Sequence, residues 1–268
     1  MENENFWFAF GLTLFAGLST GIGSALAFFT KNTSTRFLSV SLGFSAGVMV
    51  YVSFFEILPK ARLALVPGLG EQGAAWYSVL AFFVGIFIIA LIDRMIPSQE
   101  NPHEIKRVED VAKNGQQDAR LVRMGMFTAL AIGIHNFPEG IATFMAGLTD
   151  RTIAIPIAVA IAIHNIPEGI AISVPISYGT GSKKKGFYLS FLSGLAEPVG
   201  ALLAWFILMP FLNDNLFGFI FAAVAGIMVF ISIDELLPTA REYGLHHHAV
   251  YGFIAGMAVM ALSLLLFI

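Results

Sequence analysis

Six residues are written twice in apolar surroundings: His135-Asn136-Phe137-Pro138-Glu139-Gly140 and, 29 residues on, His164-Asn165-Ile166-Pro167-Glu168-Gly169. Helix residues four apart lie on one face, so each imidazole stacks over its carboxylate, with the amide three residues from the same carboxylate. Pro138 and Pro167 have no N–H to give to the preceding turn, which frees a carbonyl oxygen in each copy. A carboxylate at the centre of a bilayer costs roughly 2.5–3.5 kcal/mol even on insertion scales. Two such phrases therefore call for a cation.

A third carboxylate, Glu197 in Gly194-Leu195-Ala196-Glu197-Pro198, falls at the middle of the next apolar segment. Three segments thus bring His135, Asn136, Glu139, His164, Asn165, Glu168 and Glu197 to one depth, with no Lys or Arg at that level. Clustered carboxylates in a low dielectric repel one another unless a cation joins them. The donors are nitrogen and oxygen; cysteine is absent. Such a set suits divalent zinc, iron, manganese or cobalt, and imidazole argues against magnesium or calcium. Glu139 and Glu168 can each bridge, so two adjacent ions are allowed.

The elements that must hold these groups are membrane helices. Of 268 residues, 57% are hydrophobic and 12% charged, where soluble chains carry about 25% charged residues. The net charge of −3 offers no basic face for nucleic acid. The acidic start Met1-Glu2-Asn3-Glu4-Asn5 reads as leading into a retained span, not a cleaved leader. At about 20 apolar residues per span, the pattern predicts an all-α polytopic membrane protein. Its eight transmembrane helices are expected near 6–29, 38–58, 74–96, 122–147, 152–176, 187–211, 216–238 and 249–268, forming one domain over 1–268. The one long connection, about 97–120, has the composition of a flexible loop. Twelve Lys and Arg fall in connections on one side and Lys60, Arg62 and Arg151 on the other. By the positive-inside rule the twelve-residue side is cytoplasmic and both termini are extracytoplasmic.

A second repeat aligns 46–62 with 225–241: ten of seventeen positions are identical, including Ser53/Ser232, Glu56/Glu235, Pro59/Pro238 and Arg62/Arg241. Both repeats relate spans of opposite direction, a common construction for transporters with a midplane site. Glu56 is expected near the outer end of span two, with Asp234 and Glu235 near the inner end of span seven, where they would attract and receive a cation. Gly17, Gly21, Gly43 and Gly47, four residues apart, read as close-packing positions. His246-His247-His248 and His103 fall in cytoplasmic connections and read as solvated polar residues, the former also as a metal relay.

The paired HNxPEG motifs, Gly-Leu-Ala-Glu-Pro in span six and eight spans with both ends outside resemble the ZIP (Zrt/Irt-like) family of metal-ion transporters over nearly the whole chain. The resemblance implies uptake of divalent metal, zinc foremost and also iron, manganese, cobalt or cadmium, into the cytoplasm across a bacterial plasma membrane. It implies a binuclear centre: His135, Glu139, His164 and Glu168 at one position, Asn136, Glu139, Asn165, Glu168 and Glu197 at the other. It further implies a homodimer and movement of one helix bundle against another. Metal would be cargo, with no catalytic cofactor. The alternatives are an exporter of the same metals and an intramembrane metal-dependent hydrolase; no HExxH motif supports the latter.

Overall fold

The computed structural model describes residues 2–29, 35–95, 119–211, 213–243 and 246–266. They form α1 (Glu2–Phe29), α2 (Thr35–Val52), α3 (Leu58–Met95), α4 (Ala119–Thr149), α5 (Arg151–Thr180), α6 (Lys183–Gly194), α7 (Ala196–Leu203), α8 (Asp214–Ile231), α9 (Leu237–Tyr243) and α10 (His246–Leu266). No strand occurs among the described residues.

Six segments are long and apolar enough to cross a membrane: Asn5–Leu26, Ser39–Arg94, Ala154–Val174, Lys183–Phe211, Asp214–Arg241 and His247–Leu265. The 56-residue Ser39–Arg94 is two rods in one, because Gly70 at φ 68° breaks the helix with a backbone that only glycine adopts freely. The 31-residue α4 is an eighth rod, its mean hydropathy lowered by its own His-Asn-Phe-Pro-Glu-Gly phrase.

The stretch between the spans expected at 38–58 and 74–96 is instead helical as far as Gly70. Ala61 and Leu65 are buried there against Gly218 of α8, so the charges of Lys60 and Arg62 ride on a packed helix. The helix consequently runs on past Glu56, beyond the span end expected at residue 58. The predicted break at 178–186 shrinks to a sharp turn: Gly181 takes φ 65°, and the Ser182 hydroxyl caps α6 by accepting from the Lys185 N–H at 3.4 Å. The histidine run opens α10, where His247 stacks on Tyr251 with centroids 6.0 Å apart. The predicted loop lies almost wholly in 96–118, outside the described residues, as does His103.

The 46–62/225–241 repeat duplicates a backbone deformation as well as a sequence. Ser53–Ile57 and Ser232–Leu236 are both π-helical turns. In each, the next leucine (Leu58, Leu237) donates its N–H to the serine carbonyl five residues back, while the serine hydroxyl donates 2.7 Å to the carbonyl of Met49 or Met228. A proline follows at once, so the widened turn relieves the clash its ring would make with the preceding turn. Phe54, Phe55, Ile233 and Asp234 turn outward; Ser53, Ile57, Ser232 and Leu236 turn inward.

Two bundles result: α1, α4, α5 and α6–α7 pack together, and α2, α3, α8–α9 and α10 pack together, with α2 against α5 and α4 against α8 joining them. Glycines set the close crossings. Gly43 and Gly47 of α2 lie on the Ala249 and Phe253 carbonyls of α10, and Gly226, the repeat mate of Gly47, lies on the Phe82 carbonyl of α3. A side chain there would meet backbone, which cannot move aside. Gly226→Val is expected to destabilise the protein by about 1–3 kcal/mol, read as a lower midpoint of thermal unfolding in detergent; an unchanged midpoint would show that the crossing has slack.

Candidate metal centre

The first bundle encloses the polar cluster. His135, Asn136, Glu139, His164, Asn165, Glu168 and Glu197 are each 0–1% exposed. The i,i+4 stacking expected from the sequence is present: His135 Nε2 lies 3.3 Å from Glu139 Oε1. Across the helix pair, His164 Nε2 lies 3.1 Å from the same oxygen and His135 Nε2 lies 3.6 Å from Glu168 Oε1. The two imidazole centroids are 6.4 Å apart. His135, His164 and Glu168 each offer a donor atom within 4.8 Å of the others.

Zinc bonds of about 2.0–2.1 Å in a tetrahedron imply ligand–ligand edges of about 3.3–3.4 Å. The three separations just given straddle that value. Imidazole and carboxylate are therefore spaced as ligands sharing an ion. Many of the polar atoms also have no hydrogen-bond partner: Nδ1 of both histidines, Oδ1 of both asparagines, both Glu168 oxygens, and Oε2 of Glu139 and Glu197. A buried polar atom without a partner costs about 1–3 kcal/mol, more when charged. A purely structural polar network would have paired them.

The amides sit at the edge of this cluster. Asn165 Nδ2 donates to the Ala16 carbonyl of α1 at 3.0 Å and to the Glu197 carboxylate. Asn136 Nδ2 donates to the Ser193 carbonyl of α6 at 3.5 Å. Glu197 enters at the first turn of α7, after the Leu195 break, where the charges of Glu139 and Glu168 reach it. α2 reaches in as well, the Ser45 hydroxyl donating to the His164 carbonyl at 3.3 Å.

The acidic residues of the π-turns separate. Glu235 is 7% exposed and its charge is felt at His135, so it belongs to the surroundings of the centre. Asp234 beside it is exposed. Glu56 is half-buried, with the Lys60 ammonium one turn away acting on it. The same ammonium acts on Asp150 in the turn between α4 and α5, so these groups share one end of the molecule. The Asp150 carboxyl is held below its usual range chiefly by the Thr152 side chain, then by the Thr152 N–H, at 2.7 and 2.8 Å.

Sequence reasoning placed the α1 span and its close-packing Gly17 and Gly21 but missed its part in the cluster: residues 16–20 carry no charge, yet the Ala16 carbonyl holds Asn165 and the Thr20 carbonyl lies against Gly169. The signal was a faint third repeat: Gly17-Leu18-Ser19-Thr20-Gly21-Ile22-Gly23 against Gly194-Leu195-Ala196-Glu197-Pro198-Val199-Gly200, identical at three positions of seven.

Residues 93–264 match the family described as ZIP Zinc transporter. The chain is 63% identical to the zinc transporter ZupT of Streptococcus mutans over 266 residues, covering 99% of this chain and all of that protein. It is 61% identical to the ZupT proteins of Chlorobium chlorochromatii and Lysinibacillus sphaericus, in each case over 98% of this chain and 99% of the relative.

A ligand that binds only the folded state stabilises it by about 2.7 kcal/mol at a hundredfold excess over Kd. Zinc should accordingly raise the unfolding temperature of the purified protein, and His164→Ala should lose most of that rise. An equal rise in His164→Ala would remove this residue from the centre.

Proposed function

The chain belongs to the ZIP zinc transporter family, and from that premise we propose a route for its cargo through the cluster just described. The protein transports divalent metal across the membrane; it is a carrier, not an enzyme. The intramembrane hydrolase is not favoured, since the family's members are transporters. The observation that carries the reading is the set of imidazole–carboxylate separations of 3.1–3.6 Å at full burial, which match the edges of a zinc tetrahedron.

The whole of 1–268 acts as one eight-helix transport domain in a bacterial plasma membrane, with both termini extracytoplasmic. Lys60, Arg62 and Arg151 mark the outer end, and Arg94, Lys183, Lys184, Lys185 and Arg241 the inner end. A hydrated ion enters at the outer end, where the carboxylate of Glu56 attracts it and the adjacent Lys60 tempers that attraction. It sheds water onto His135, Glu139, His164 and Glu168. Asn136, Asn165 and Glu197, with the two shared carboxylates, form a second position. Two ions thus occupy the centre when it is fully loaded. The ion leaves past Glu235 and Asp234 as the α1/α4/α5/α6–α7 bundle shifts against its partner bundle. Zinc is the principal cargo; iron(II), manganese, cobalt and cadmium, which accept the same nitrogen and oxygen donors, are carried as well. The exposed apolar faces of the bundles meet lipid and a second copy of the chain in a homodimer.

Removing a shared ligand tests the route. Glu139→Ala should insert normally and lose nearly all radiometal uptake into vesicles; wild-type flux in that variant would refute the site. Direction is read in cells, where overexpression should raise zinc content under uptake and lower it under export. Protons compete with metal for imidazole nitrogen, so zinc affinity should fall as pH is lowered. A zinc titration of the purified protein across the acid range checks the sign, and affinity independent of pH would argue against histidine ligation.

A further inference from the structure

The first bundle is built about a local two-fold axis, and the backbone contacts reveal it pair by pair. Gly17 lies on the Gly194 carbonyl and Gly194 on the Gly17 carbonyl, so α1 and α6 cross at matched glycines. Gly23 of α1 lies on the Ile166 carbonyl, and Gly200 of α7 on the Phe137 carbonyl; Ile166 and Phe137 are the same position of the HNxPEG phrase. Gly140 lies against the backbone of Glu197, and Gly169 against that of Thr20. Asn136 donates to Ser193 and Asn165 to Ala16, each one residue before its crossing glycine.

The same correspondence makes Thr20 the counterpart of Glu197. The two β-carbons occupy equivalent places: Glu197 Cβ faces Gly17 and Thr20 Cβ faces Gly194. Their partners differ. Glu197 is long enough to accept from Asn165. Thr20 is fully buried and its hydroxyl has no protein partner, as is true of Oδ1 of Asn136, the counterpart of Asn165. One arm of the cluster therefore ends in a carboxylate and the other in a hydroxyl.

We infer that Thr20 is a specificity-determining residue of the metal centre, the neutral counterpart of Glu197 that sets how firmly the Asn136 arm holds cargo. The inference rests on the metal-site reading above. Its physical content is charge balance. Glu139, Glu168 and Glu197 set three negative charges against the cargo, with Glu235 near His135 as a fourth; a carboxylate at position 20 would add one more, on the arm that has none of its own. In a low dielectric, one added carboxylate beside the ions strengthens retention steeply. A hydroxyl offers an oxygen donor without that charge, so the Asn136 arm binds and still releases.

The test is a comparison of Thr20→Glu, Thr20→Val and Thr20→Ser in purified protein and vesicles, with zinc as the probe. Gly194 faces position 20 as Gly17 faces Glu197. Thr20→Glu should bind zinc at least about tenfold more tightly, with KM and kcat of uptake falling together. Thr20→Val keeps the shape and removes the donor, and should weaken zinc affinity by about two- to tenfold. Thr20→Ser should behave as wild type. Wild-type affinity in a folded Thr20→Val overturns the inference even if Thr20→Glu fails to fold, and so does Thr20→Glu with unchanged KM and kcat. Glu139→Ala, run alongside, separates the layers. If it abolishes zinc binding while the Thr20 series is silent, this inference alone fails. If it binds zinc normally, the metal-site reading fails too.

Discussion

A carboxylate in oil needs a positive partner, and this chain gathers Glu139, Glu168 and Glu197 with two imidazoles into one buried cluster without Lys or Arg, with a fourth buried carboxylate, Glu235, beside it. Everything else in the first bundle can be understood as what that placement requires. α4 and α5 must lie close enough for His164 to meet Glu139 and for His135 to meet Glu168. The crossing glycines of α1, α4, α5 and α6–α7 allow it, because each lets a helix rest on a neighbour's backbone. The break at Leu195 starts a new helix at α7 and delivers Glu197 in its first turn. Stability and function oppose each other here: the arrangement that leaves donors unpaired is the one that can accept and release a doubly charged ion.

The second bundle solves a different problem. Its two long rods carry the same π-turn, each held by a serine hydroxyl on the carbonyl one turn back and followed by proline. The widened turn sends bulky neighbours outward and keeps a carboxylate on the inward side, Glu56 in one rod and Glu235 in the other. The charge of Glu235 is felt at His135. The duplication is thus kept in backbone form while the surroundings of its two glutamates differ, Glu56 half-buried beside Lys60 and Glu235 buried.

Much of this was legible in the sequence because charge in an apolar segment is a strong signal. The buried polar cluster was marked by the two HNxPEG phrases and by Glu197 in the next apolar segment, and the inverted relation of α4 to α5 by their adjacency along the chain. What stayed hidden had no such signal. The helix through 60–70 was obscured by Lys60, Arg62 and Pro67, which read as a connection until Ala61 and Leu65 are seen packed on Gly218. The π-turns leave no mark in a hydropathy pattern. The partnership of α1 with α6–α7 rests on glycine-to-carbonyl contacts, and Thr20 and Glu197 share no chemistry that would align them.

The central claim is that imidazole and carboxylate from α4 and α5 share one metal ion. X-ray absorption at the zinc edge of the loaded, purified protein measures this most directly. The account predicts a first shell of nitrogen and oxygen at about 2.0–2.2 Å, with the outer-shell scattering of imidazole rings. A shell of oxygen alone, with no imidazole signature, would contradict it.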